Sequence, residues 1–178
     1  MRRLGAILAG GRSSRFDGDK AAAEIDGRSL IDLVAGGLRP QVAMLAVVGR
    51  DWPGLHRVDD APAAGLGPLG GLCGALQFAA AEGFDHVVVQ PCDLLPVPDW
   101  SAVEVGAVPV FAAGHFASGV WPASMAAALN RHLSAAQDRS VRGWIEVNGA
   151  RAVECGPMFD LNTRAALRRY SESAGEHP

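Results

Sequence analysis

The chain has 178 residues, 49% of them apolar and 20% charged, with a formal net charge of -3. That length and balance suit one soluble globular domain with a substantial core, and exclude a disordered or repeat-built chain. The acidic balance also argues against broad electrostatic binding of nucleic acid or anionic membrane, which needs a basic face, and favours a small ligand.

In chain order, the first signal is a short apolar run at 4–8 that ends in Gly10 and Gly11. It is too short to span a membrane, and no cleavage-site pattern follows Met1-Arg2-Arg3, so a cytoplasmic location is expected. Similar runs at 42–48 and 86–90, bounded by Gly, Pro, Asp or charged residues, read as buried strands. Between the first two, Ser29 and Asp32 mark a helix start, and Leu33, Val34 and Leu38 carry an apolar stripe limited by Gly36, Gly37 and Pro40. Further helices are expected at 68–82, 122–136, 141–147 and 163–173. This alternation predicts an α/β fold: a single domain over residues 1–170, with a mostly parallel sheet, helices on both faces and a ligand at the carboxyl ends of the strands. The polar tail at 171–178 has nothing to bury and is expected to fray. Cys73, Cys92 and Cys155 are odd in number and scattered, which fits buried thiols and neither a disulfide framework nor a zinc knuckle.

The stretch "LAGGRSSRFDGDKA" follows the first strand. Glycines 10 and 11 let backbone amides approach a ligand closely, while Arg12, Arg15 and Lys20 surround the same turn with cationic donors suited to phosphate oxygens. Taken alone, a phosphate cradle and a glycine turn with solvated charges stay equally open. The P-loop pattern is absent, because Lys20 follows Asp19 and precedes Ala21. A dinucleotide pattern does occur as Gly65-Leu66-Gly67-Pro68-Leu69-Gly70, but it follows "DDAPAAG" where a hydrophobic strand would be required, so NAD is not expected.

Asp93 stands in "VVVQPCD", just past the third strand; taken alone it reads as a turn aspartate before "LLPVPD", and the edge it shares with the glycine loop favours a carboxylate that projects toward the same region. One carboxylate plus substrate phosphates is a sufficient Mg²⁺ site, since Mg²⁺ keeps several waters. Asp59 and Asp60 precede the second glycine-rich loop and either accept hydrogen bonds from a base or cap a helix. Asn162 in "FDLNTRAAL" reads first as a helix cap, in competition with Thr163. The five histidines lack zinc spacing, and Ser118 lies outside any acyl-transfer motif. Trp121 and Trp144 look like packing anchors beside helices.

Assembled, these residues resemble the MobA-like nucleotidyltransferases, most closely the molybdenum cofactor guanylyltransferases. Four separated segments carry the resemblance in order: "LAGGRSSR" with "DKA", then "GPLGG" at 67–71, "PCD" at 91–93 and "LNT" at 161–163, with "RSVRGW" at 139–144 as a weaker fifth. The resemblance implies the Rossmann-like fold of nucleotide-diphospho-sugar transferases. It implies that Leu8, Ala9, Gly10, Gly11, Asp60 and Gly67 line the nucleotide, that Arg15 and Lys20 face its phosphates, that Asp93 holds Mg²⁺, and that Asn162 serves the acceptor or a phosphate. The implied reaction moves GMP from GTP to the terminal phosphate of molybdopterin, with a molybdoenzyme or cofactor-insertion protein as partner. The chain departs from the family at Phe16-Asp17, at Val47-Val48-Gly49 and at Asp160. Alternatives are cytidylyl transfer to molybdopterin, a sugar-phosphate nucleotidyltransferase, or a non-catalytic nucleotide-binding delivery protein.

Overall fold

The computed structural model describes residues 1–10, 18–135 and 138–174. It opens with β1 (Arg3–Leu8); a 3-10 turn over Lys20–Ala22 and a small hairpin of β2 (Glu24–Ile25) and β3 (Arg28–Ser29) then lead into α1 (Leu30–Leu38). Next come β4 (Met44–Val48), β5 (His56–Val58), α2 (Gly67–Ala81), β6 (His86–Pro91) and β7 (Leu94–Leu95). The remainder is β8 (Val110–Ala112), β9 (His115–Pro122), α3 (Ala126–Ala135), α4 (Val141–Asn148), β10 (Arg151–Val153), β11 (Phe159–Asp160) and α5 (Arg164–Ala174).

Seven strands form the central sheet in the order β10-β8-β9-β6-β1-β4-β5. All neighbours are parallel except those of β9, which runs antiparallel to both β6 and β8. From β1 the chain crosses through α1 to β4 on one side, continues to β5, and returns through α2 to β6 on the other side. The order therefore reverses at β1, and the crevice beyond its carboxyl end is where an open α/β sheet binds its ligand.

Alternation along the strands fills two cores. Leu4, Ala6, Ala46, Val48, Val87 and Val89 face α2, α3 and α4, where Leu69, Leu76, Leu129, Leu133 and Trp144 are buried. Ile7, Leu45, Val47 and Val88 face the other way, onto Leu30, Ile31, Val34 and Leu38 of α1 and onto Trp100. Helices thus cover both faces, as the alternation of apolar runs predicts.

Four boundaries differ from the sequence reading. Strand β4 starts at Met44, not at Val42. Helix α1 runs through Gly36 and Gly37 to Leu38, because Gly37 is a packing residue: a Cβ there would lie 2.7 Å from Cβ of Val97. The segment expected as one helix from 122 divides, since Pro122 closes β9 opposite His86 and a 3-10 turn over Ala123–Met125 precedes α3. Helix α5 continues to Ala174, four residues into the tail expected to fray. The Ser29 cap is present as read, its Oγ accepting from the Asp32 amide at 3.1 Å.

Trp121 is buried within β9 itself, whereas Trp144 anchors α4. Beneath the sheet's carboxyl edge, Ser118 Oγ donates to Gln90 Oε1 at 2.5 Å and Gln90 Nε2 donates to the Leu94 carbonyl at 2.8 Å. All the polar atoms of this buried pair that point at one another are satisfied, which stiffens the base of the segment carrying Asp93.

Candidate functional site

Three chain segments distant in sequence meet at the carboxyl edge. The Lys20 ammonium donates to Asp93 Oδ2 at 2.5 Å and to Asn162 Oδ1 at 3.1 Å. Lys20 leaves the 3-10 turn after Asp19, whose carboxylate caps that turn by accepting from the Ala21 amide. Asp93 is placed by the end of β6, where the Cys92 amide donates to the Leu8 carbonyl and the Asp93 carbonyl accepts from the Leu161 amide. That last bond, with the pairing of Asp160 and Leu94, ties the segment bearing Asn162 to the segment bearing Asp93.

Asn162 is therefore not the helix cap. Thr163 caps α5, its Oγ1 accepting from the Ala166 amide at 3.1 Å, which leaves the Asn162 side chain to bind Lys20.

A cavity of about 740 Å³ opens on this cluster. Lys20 and Asp93 line it beside Leu8, Ala9 and Gly10, while Asp60, Gly65, Gly67 and Gly71 line it where α2 begins. Six of the sequence-predicted positions, Leu8, Ala9, Gly10, Lys20, Asp60 and Gly67, thus share the cavity with Asp93. Gly11 and Arg15, with Arg12, Phe16 and Asp17, lie outside the described residues.

Close backbone approach explains Gly49, which packs against Gly10 of the cavity lining. Gly49 follows β4 with φ +83, and a Cβ on it would lie 2.6 Å from the Gly10 Cα. Only two glycines allow the β1 and β4 exits to touch there, so the small Gly49 that breaks the family pattern has a packing reason. At the other wall α2 begins with no side-chain cap and with Pro68 in its first turn. Gly67, Pro68 and Gly71 line the cavity, which puts the positive dipole end of α2 at its wall, an arrangement that favours anions. The glycine run at 65–70 serves this same cavity, not a separate dinucleotide site. Asp60 accepts from the Gly65 amide at 3.3 Å and borders the cavity, whereas Asp59 turns away into an exposed pair with Arg57.

Electrostatics sort the remaining groups. Burial, followed by the Asp93 charge, pushes the Cys92 thiol up to about 12, so it stays protonated and cannot act as a nucleophile. Cys73 is likewise pushed up to about 11 by burial, and all three cysteines are free. Asp19 is held below the usual carboxylate range, first by its hydrogen bonds from Arg50. No group of three or more His, Cys, Asp or Glu residues among the described residues could hold a metal ion. Asp93 fits a Mg²⁺ site, because one of its oxygens holds Lys20 and Mg²⁺ needs only one or two carboxylates beside phosphates and water.

Two features escaped the sequence reading. Arg50, just past Gly49, forks onto Asp19, and His115 Nδ1 lies 3.6 Å from Asp160 Oδ2 at the opposite rim, where Asp160 and Ala117 line the cavity. The missed signal is a count: Lys20 is the only lysine in the chain, beside fifteen arginines. A chain that uses arginine everywhere else places its one compact ammonium against Asp93, where a point charge can serve oxygens from several directions.

The family model for the MobA-like NTP transferase domain matches residues 5–153. A molybdenum cofactor guanylyltransferase of Cereibacter sphaeroides is 39% identical over 171 residues, covering 84% of each chain. One of Acidiphilium cryptum is 32% identical over 176 residues, covering 90% of each chain. Among solved structures, molybdopterin-guanine dinucleotide biosynthesis protein A from Archaeoglobus fulgidus superposes with a TM-score of 0.69 at 18% identity, over 97% of this chain and 99% of that one, a likeness of fold.

Proposed function

Because the chain belongs to the MobA-like NTP transferase family, we propose that it transfers GMP from GTP to the terminal phosphate of molybdopterin, releasing pyrophosphate and forming molybdopterin guanine dinucleotide. The observation that carries this reading is that Lys20, bound to Asn162, and Asp93 line one cavity that Asp60 and the start of α2 also line.

The chemistry asks little covalent work of the protein. The acceptor phosphate is already an oxyanion at neutral pH, so its oxygen attacks the α-phosphorus of GTP without a dedicated base. The bond from the α-phosphorus to the bridging oxygen breaks, and pyrophosphate leaves with that electron pair. What the site must supply is in-line positioning and positive charge for the departing oxygens. Lys20 supplies that charge, held at its working position by Asp93 and Asn162. Asp93 would hold Mg²⁺ together with the triphosphate, and the bound ion would neutralise phosphate charge. Asp60, a carboxylate beside the nucleotide end, suits guanine, whose N1–H and amino group are both donors. A cytoplasmic setting, with product handed to a molybdoenzyme or an insertion protein, completes the proposal. No helix among the described residues is long and apolar enough to cross a membrane.

Melting temperatures with GTP, ATP, CTP and UTP, each with and without Mg²⁺, test the assignment. A ligand at a hundred times its dissociation constant adds about 2.7 kcal/mol to the folded state. Selective stabilisation by GTP with Mg²⁺ is expected. A preference for CTP would contradict the base assignment, and indifference to all four would contradict nucleotide transfer.

A further inference from the structure

Arg50 takes no part in the cluster around Lys20, yet it forms the best-defined ion pair next to it. Its Nη1 and Nη2 donate to the two oxygens of Asp19 at 2.7 and 2.6 Å, a bidentate fork. The guanidinium lies over the Trp52 ring, 5.3 Å from its centroid, and Trp52 Nε1 donates to Asp32 Oδ1 at 3.0 Å. Asp32 Oδ2 in turn accepts from Ser29 Oγ at 2.7 Å, at the cap of α1. One continuous brace thus runs from the start of α1 through Trp52 and Arg50 to Asp19, the residue before Lys20. Asp19 uses Oδ1 both for this fork and for the Ala21 amide that closes the turn carrying Lys20.

We infer that Arg50 is a positioning residue for nucleotidyl transfer, acting through Asp19 to fix the backbone from which Lys20 reaches the phosphates. Arg50 Nε is buried without a hydrogen-bond partner among the described residues. The fork to Asp19 uses both Nη groups and fixes the orientation of the carboxylate as well as its distance. Lysine cannot replace it, since an ammonium has no planar fork to fix the carboxylate's orientation. Because a displacement of about 1 Å in a catalytic group can cost about a hundredfold in rate, a brace one residue from Lys20 has leverage on turnover.

This inference rests on Lys20 serving the leaving phosphates, and its test separates the two ideas. Arg50→Ala, Arg50→Lys and Asp19→Asn would be compared with the unaltered protein for kcat, nucleotide KM and melting temperature. The rate at which an amine-reactive acylating reagent modifies Lys20 would be read by peptide mass spectrometry on the peptide that contains it, the chain's single lysine in all but Arg50→Lys. Arg50→Ala is expected to lower kcat about 10- to 100-fold with KM within about threefold, and to accelerate Lys20 modification several-fold. Arg50→Lys should behave like Arg50→Ala, and Asp19→Asn, which retains a capping side chain, should fall between. Wild-type modification rates in Arg50→Ala would overturn the brace, as would full rescue by lysine at 50. Faster modification with unchanged kcat would overturn Arg50 as a positioning residue for transfer, whereas loss of the Lys20 role itself is read separately, from unchanged turnover in Lys20→Ala.

Discussion

Replacing Lys20 by alanine is expected to lower kcat about 10²- to 10³-fold, the scale of losing one preorganised donor from a charge-developing transition state. Lys20 is the cation among the described residues that binds both Asp93 and Asn162, and it borders the cavity directly. Its position is set before substrate arrives, so no reorganisation is required as charge moves onto the departing pyrophosphate. Fold stability should fall as well, because the side chains of Lys20 and Asp93 are only 20% and 13% exposed and the change leaves the Asp93 carboxylate without its ionic partner, so kcat is read on the folded fraction. Lys20→Arg should restore only part of the rate, since a planar fork cannot occupy the compact position between the two oxygens. Turnover in Lys20→Ala within a few-fold of the unaltered protein would remove the proposed leaving-group role.

The second large effect is expected for Asp93→Asn, which preserves shape but removes the charge. Two losses coincide there: the ionic partner of Lys20 and the carboxylate oxygen available to a cation. A fall in kcat of about 10²-fold or more is expected, together with a rise in the Mg²⁺ concentration needed for half-maximal rate. The two losses can be told apart by titrating Mg²⁺. If Asp93 only orients Lys20, the Mg²⁺ requirement stays where it was while the rate falls. An unchanged rate at every Mg²⁺ concentration would exclude Asp93 from the site altogether.

The parts of the fold that could be read from sequence are those whose signal is local. The runs at 4–8 and 86–90 became β1 and β6 because uninterrupted apolar residues buried on both faces leave little else for the chain to do. Strand β9 was missed because "HFASGVWP" mixes His, Ser and Gly, and its strand character comes from pairing with β6 and β8. Even its glycine is dictated from outside, since a Cβ on Gly119 would meet the Phe111 Cα at 3.0 Å.

The site divides in the same way. Lys20 and Asp93 were legible because each directly follows a strand end or a glycine loop, where exposed function collects. Asn162 was first read as a cap because Asn and Thr cap equally plausibly from sequence, and the choice is made by Lys20, 142 positions away. Arg50 belongs to no local motif, and its partner Asp19 lies 31 residues upstream, so nothing within its own segment marks it.

Guanylyl transfer is tested by following a phosphate label. With molybdopterin, Mg²⁺ and GTP carrying ³²P on the α-phosphate, the label should move into a pterin dinucleotide, while label on the γ-phosphate should leave as pyrophosphate. Retention of the α-label in GTP, GDP and GMP alone, or transfer from α-labelled CTP but not from α-labelled GTP, would contradict guanylyl transfer by this protein.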